Sequence, residues 1–244
     1  MIAALMIGRK GSVGFPGKNT ILLSGHPMAS YPLRAVLGCE LVDKTFVSTD
    51  DPAIIEIAAQ LGGIEIIHRP AHLCTKEALG EDALHHGAEE IQRRCGGVEM
   101  FVLLMANAPT ISSELISQGI EMLRKNPEAD SAVTVSRYNM FSPTRGRKVD
   151  ARGFLEPFIG FEALAALNAT CDRDSQGDCY FADMGASIVR PRCFEEMSHN
   201  VPPQKWMGRH ILPIFSDGGV DVDYPYQVGQ AEYWVRTRNL AGAD

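Results

Sequence analysis

Arg9, Lys10 and Lys18 stand among glycines 8, 11, 14 and 17 and Pro16 in the stretch GRKGSVGFPGKN, residues 8–19. Cations on a glycine-rich turn suit phosphate: the backbone can approach closely, several N–H groups converge on the oxygens, and the side chains add charge. The spacing is neither the dinucleotide fingerprint G-x-G-x-x-G nor the loop G-x-x-x-x-G-K-[ST], because Asn19 follows Lys18. On spacing alone a solvated surface turn competes with a phosphate cradle. A second pair stands far along the chain, Asp221 and Asp223 in GGVDVDYP. On extended backbone, residues two apart share a face, and two carboxylates there repel unless a cation lies between them. Mg²⁺ carrying nucleotide phosphates is the economical occupant, since it favours hard oxygen ligands and keeps water in its shell. The competing reading is a solvated pair, with Asp223 capping a helix that Pro225 opens.

Other chemistries find less support. The six cysteines (39, 74, 95, 171, 179, 193) form no C-x-x-C pair, so neither a zinc site nor a disulfide frame is implied. His85 and His86 are adjacent and on a helix would point about 100° apart, too far to share a metal. A net charge of -7 argues against nucleic acid or an anionic membrane as partner. The apolar runs MIAALMI and FVLLMA are far short of a membrane span, and basic residues follow the first run instead of preceding it, which points to a cytoplasmic protein.

With 244 residues, 45% hydrophobic and 22% charged, the chain suits one compact globular domain, residues 1–244, with a modest inserted lobe. MIAALMI reads as a buried strand, HPMASYPLRAVLGCE as a helix with Pro27 in its first turn, and DKTFVSTDD ends a second strand. DDPAIIEIAAQLGG is a helix capped by Asp50 or Asp51 and stopped at Gly62. The alternation continues through IEIIHRP, GEDALHHGAEEIQRRC, VEMFVLLMA, SSELISQGIEMLRKN and SAVTVS. It predicts an α/β layered domain, a mainly parallel sheet covered on both faces. From Arg137 to about Asp183 the rhythm breaks into an aromatic, proline-bearing lobe with an exposed loop, NATCDRDSQGD, a natural subunit interface. MGASIV, RPRCFEEMSHN, HILPIFS and PYQVGQAEYWVRTRN then read as strand, helix, strand and closing helix. In such a sheet ligands bind at the carboxyl ends of the strands, where the loop after Gly8 emerges.

Together the two motifs resemble the acylneuraminate cytidylyltransferase (CMP-sialic acid synthetase) family, whose opening pattern is close to A-R-x-G-S-K-G-x-P-x-K-N. Arg9, Gly11, Ser12, Gly14, Pro16, Lys18 and Asn19 match. The likeness continues in VSTDDPAI, HRPAHL, FVLLMANAPT, FADMGASIV and DVD before the last helix. It implies a three-layer α/β sandwich of the nucleotide-diphospho-sugar transferase type, with a mainly parallel mixed sheet and an inserted dimerisation lobe at about 138–182. The activity implied is transfer of CMP from CTP to an acidic nonulosonic sugar, by a homodimer in which one subunit completes its neighbour's sugar site.

Carried over residue by residue, the resemblance puts Arg9 and Lys18 on the triphosphate with the N–H groups of Gly11, Ser12 and Gly14. Asn19 and Arg69 read the base in a pocket lined by Ala78 and Gly80. Met105 and Asn107 face the sugar, and Asp221 and Asp223 hold Mg²⁺. A cation for the sugar carboxylate is also expected, with Arg137, Arg145 and Arg147 as candidates that read equally as surface arginines. The departures are Val13 for the family's lysine, Met105 for a glutamine, Lys76 for a common aspartate, and MANAPT for a loop bearing Thr-Ser. Lys10 is placed to offset the first. The Kdo-activating relatives follow their P-G-K with proline, and Asn19 stands outside that branch. Met105–Ala108 keeps open a related nucleotidyltransferase using another base or an amino-sugar phosphate. Val13 and Lys76 keep open a catalytically degenerate nucleotide-binding module, which the retention of Arg9, Lys18, Asp221 and Asp223 opposes.

Overall fold

The computed structural model describes residues 1–11, 14–167, 170–172 and 174–238. Strand β1 (Ile2–Gly8) is buried along its length, and its side chains sort by parity: Ile2, Ala4 and Met6 enter one apolar layer, Ala3, Leu5 and Ile7 the other. A period of two with both faces buried is what a central parallel strand requires. The other strands are β2 (Leu22–Leu23), β3 (His26–Pro27), β4 (Lys44–Thr49), β5 (Ile64–His68), β6 (Met100–Met105), β7 (Ser131–Arg137), β8 (Arg147–Val149), β9 (Leu155–Pro157), β10 (Tyr180–Val189) and β11 (Ile211–Phe215). Seven of them form the main sheet in the order β11-β7-β10-β6-β1-β4-β5. Its pairings are parallel except where β10 runs antiparallel between β6 and β7. β2 pairs with β3, and β8 with β9, as two small ribbons.

The helices are α1 (Ser30–Leu37), α2 (Pro52–Leu61), α3 (Gly80–Cys95), α4 (Ser113–Lys125), α5 (Phe161–Ala166), α6 (Arg192–Glu195) and α7 (Val228–Thr237). α1, α2 and α4 pack into the apolar layer on one sheet face, α3 and α6 into that on the other. This is the expected three-layer α/β sandwich, with a mostly parallel mixed sheet. A third apolar cluster joins Leu23, Met28 and Tyr31 to Val220, Val222, Ala231 and Val235, and so holds the C-terminal loop and α7 beside the opening loop.

Several boundaries differ from the sequence expectation. Pro27 lies in β3; α1 begins at Ser30, with Pro32 in its first turn, where a missing N–H costs nothing. The segment RPRCFEEMSHN does not form one helix. α6 stops at Glu195, where Glu196 leaves helical geometry at φ -134°, and the Cys193 carbonyl that a longer helix would use accepts from Asn200 Nδ2 at 2.9 Å instead. α7 is preceded by a 3-10 turn at Pro225–Gln227. The predicted lobe contains 3-10 turns, the β8–β9 ribbon and α5, but Tyr180 and Ala182 already pair with Arg137 and Val135, so β10 enters the lobe's end. Asn168, Ala169 and Arg173 of its polar loop lie outside the described residues.

Candidate active site

Gly8 ends β1 where a Cβ would lie 2.6 Å from Ile54 Cδ1 and 2.7 Å from Ala106 Cβ. The chain therefore leaves the sheet in close contact with α2 and with the residue after β6. In the loop, Gly11 and Gly17 have φ of 79° and 74°, the left-handed region glycine adopts without strain. Ser12 and Val13 lie outside the described residues, and with them the assignment made to Ser12.

Contacts from distant elements fix the loop. Lys10 N donates to Asp50 Oδ1 at 2.8 Å, Arg9 Nη1 donates to Thr75 O, and Asn19 Nδ2 donates to Arg9 O at 3.3 Å. Asp50 is free for this because Asp51 caps α2, accepting from Ala53 N at 3.0 Å. Arg69 follows β5 and is buried; its Nη2 donates to Ser48 O at 2.7 Å, and burial pushes its guanidinium pKa down.

The acidic residues come from the loop between β11 and α7. It is not a strand of the sheet, yet the expected alternation holds: Val220 and Val222 enter the third apolar cluster while Asp221 and Asp223 alternate with them. Asp223 is exposed and pairs through Oδ1 with Lys18 Nζ. Its side chain does not cap the closing helix. Gln227 Oε1 accepts from Asp223 N and Tyr224 N instead, both at 2.8 Å. Asp221 is half-buried, and burial, then the charge of Asp223, pushes its carboxyl up to about 6.

These groups surround a cleft of about 320 Å³ at the carboxyl ends of the strands. Of the residues singled out in the sequence, Arg9, Gly14, Lys18, Asn19, Arg69, Ala78, Gly80, Met105, Asn107 and Asp223 line it; Gly11 and Asp221 do not. Asn107, expected at the sugar, also braces the acidic loop: Nδ2 donates to Val222 O at 3.2 Å and Asp223 Oδ1 at 3.4 Å, and its carbonyl accepts from Val222 N at 2.8 Å. Arg137, Arg145 and Arg147 are not brought to the cleft of their own chain; Arg137 reaches Asp178, while Arg145 and Arg147 donate to lobe carbonyls. Ile7, Leu73, Leu79 and Ala83 complete the walls and were missed, since nothing in an apolar residue's type separates a cleft wall from core. A second depression, between α3 and α6 and lined by His85, Phe101 and Phe194, gathers no comparable set of cations.

Among the described residues no group of three or more His, Cys, Asp or Glu could cage a metal ion. Asp221 and Asp223 are the residues that could hold one. A carboxylate pair without further protein ligands suits a hard cation that completes its shell with phosphate oxygens and water, so the donor set fits Mg²⁺.

The mostly parallel layered sheet carries a cation-bearing glycine loop at its carboxyl edge, and its likeness to solved structures makes the fold the nucleotide-diphospho-sugar transferase type. A solved CMP:2-keto-3-deoxy-manno-octonic acid synthetase complexed with CTP superposes with a TM-score of 0.66 at 16% identity, covering 97% of this chain and 99% of that one. The sequence profile of the cytidylyltransferase family matches residues 3–149, and the chain belongs to that family. N-acylneuraminate cytidylyltransferase of Oncorhynchus mykiss is 26% identical over 228 residues, 92% of this chain, which spans about half (49%) of that relative's length. CMP-N,N'-diacetyllegionaminic acid synthase of Legionella pneumophila is 29% identical over 246 residues, covering 98% of this chain and 95% of its own. The profile includes the opening loop and the walls of the cleft but ends before Asp221.

Proposed function

We propose that the protein is a nucleotidyltransferase that joins CMP from CTP to an acidic nonulosonic, sialic-acid-like sugar and releases pyrophosphate. The observation that carries this reading is the meeting of Lys18 with Asp223, 205 residues apart, across one cleft. A phosphate-type loop and Asp223 of the acidic pair thus face the same small volume. The family membership supports the nucleotide, and the N-acylneuraminate and diacetyllegionaminic relatives support the acceptor class.

In this reading Arg9 and Lys18, with the N–H groups around Gly11 and Gly14, hold the triphosphate and stabilise the charge of the departing pyrophosphate. Transfer of this kind depends on positioning and charge stabilisation more than on covalent participation of the protein. Asn19 and Arg69 hold the base from the β4–β5 side, where Ala78 and Gly80 leave room for its ring. Asp221 and Asp223 would hold Mg²⁺, which when bound orients the triphosphate and offsets charge developing at the α-phosphate. Asn107 keeps that pair in place, and Met105 gives the acceptor an apolar wall in place of an amide. The sugar's hydroxyl attacks the α-phosphorus in line with the leaving pyrophosphate.

A homodimer through the lobe belongs to the same proposal. Phe154, Leu155, Phe158 and Phe161 are each at least 64% exposed, a cluster of large apolar side chains that a partner surface would cover. Pairing there would bring one protomer's lobe to the other's acceptor side. The six cysteines are all free thiols and no helix among the described residues is long and apolar enough to cross a membrane, which supports a cytoplasmic setting.

The test is Asp223→Asn. We expect pyrophosphate release to be lost while the circular dichroism spectrum and melting temperature stay near those of the wild type. Unchanged turnover would remove the acidic pair from the reaction.

A further inference from the structure

Asp183 is 4% exposed, and neither the opening loop nor the acidic pair contains it. It stands where the pairing of β10 with β7 shifts register between Ala182 and Ser187, and the next residue, Met184, is held at φ 62°. A bulge re-aims a side chain, and a left-handed non-glycine residue persists only where its surroundings hold it. Here the bulge accompanies a carboxylate directed toward the base of the acidic loop. Its hydrogen-bond donors are all neutral: Ser136 Oγ at 2.7 Å and Ser216 Oγ on Oδ2, and Gly185 N at 3.2 Å on Oδ1.

The consequence lies one bond further on. A carboxylate only accepts, so the hydroxyls of Ser136 and Ser216, which also lie 2.9 Å from each other, turn their protons toward Asp183, and Ser136 Oγ presents lone pairs to the loop. Those lone pairs accept from Gly218 N at 3.0 Å and Gly219 N at 2.8 Å. Contact is close enough that a Cβ on Gly219 would lie 2.5 Å from Asp183 Oδ2. Beyond this point Tyr138 OH donates to Gly219 O at 2.8 Å, and Thr110 Oγ1 accepts from Val220 N at 2.8 Å. Asp221 follows immediately.

We propose that Asp183 is a positioning residue: by orienting the hydroxyl of Ser136 it sets the path of residues 216–220, and so the place of Asp221 and, two residues on, of Asp223 at the cleft. The catalytic consequence rests on the function proposed above; the brace itself does not. Asparagine alters the relay: its oxygen can still accept from Gly185 N, but its NH₂ would donate to the Ser136 and Ser216 hydroxyls and compete with Gly218 N and Gly219 N for the lone pairs of Ser136.

The experiment uses the full chain with Asp183→Asn and, as a second variant touching the same relay, Ser136→Ala. Backbone amide exchange is measured without nucleotide, Mn²⁺ affinity is measured by electron paramagnetic resonance in the presence of CTP, and steady-state kinetics are measured with varied Mg²⁺ and varied CTP. We expect faster exchange confined to residues 216–223, with β1 and β4 unchanged. Mn²⁺ should bind about tenfold more weakly, the scale for losing a group that orients metal ligands. The Mg²⁺ requirement and kcat should shift while KM for CTP stays within about twofold. Exchange raised throughout the sheet, or wild-type exchange in 216–223 with wild-type Mn²⁺ affinity, would overturn the proposal. If Asp183→Asn fails to fold, Ser136→Ala decides by the same criteria. A wild-type protein that neither binds Mn²⁺ with CTP nor releases pyrophosphate would sink the functional reading, and the exchange data would still judge the brace.

Discussion

Asp221 holds a charge at neutral pH that its surroundings resist. Burial and the neighbouring Asp223 move its carboxyl from 3.8 to about 6, so between those values the folded protein keeps a proton that the unfolded chain has released. Stability therefore falls as pH rises through that window and stays lowered above it. Asp221→Asn should raise the melting temperature of the nucleotide-free protein at pH 8, with the gain vanishing near pH 4. A variant that melts lower than wild type at pH 8 would show that the carboxylate is stabilised in place. At this scale the sequence was partly legible. The residue types and spacing of the basic loop and of the alternating V-D-V-D run pointed to the groups that meet in the cleft. Their partners did not show, because tertiary packing supplies them: Asp50 for Lys10, the Thr75 carbonyl for Arg9, and Asp183 beneath the acidic loop. Nor did the bracing role of Asn107 show, because its bonds to Val222 and Asp223 link positions more than a hundred residues apart.

Elements whose ends are fixed by local chemistry were the readable ones. α2 begins at the Asp51-Pro52 cap and ends at Gly62, and α4 begins where Ser112 Oγ accepts from Leu115 N at 3.4 Å. α6 was misread because no capping residue in the sequence marks its end; the freed Cys193 carbonyl is satisfied by Asn200, a residue outside the helix. The element that most directly positions the site is the β1 end. Gly8→Ala would press a methyl against Ile54 and Ala106 at contacts well inside van der Waals distance. We expect a loss of about 1–3 kcal/mol in denaturant unfolding, the usual cost of overpacking a well-packed core. A loss well below that range would mean that α2 yields and that the close approach is not what sets the loop.

On the scale of the whole molecule, the layered sheet explains why the cleft lies at one edge, with both apolar layers filled below it. The lobe is the part such a sheet does not require, and its Leu155 and Phe158 are exposed side chains that a second protomer would cover in the proposed dimer. A Leu155→Glu, Phe158→Glu chain should sediment as a monomer under conditions where wild type sediments as a dimer. A wild-type monomer, or a double variant that still dimerises, would move the interface elsewhere. The central claim, CTP-dependent transfer to an acidic sugar, is tested most directly by pyrophosphate release with each of the four nucleoside triphosphates and Mg²⁺, against nonulosonic acids, Kdo and hexosamine phosphates. We expect release with CTP and a nonulosonic acid. Release with a different nucleotide and acceptor, or CTP bound with no release from any acceptor, would contradict it.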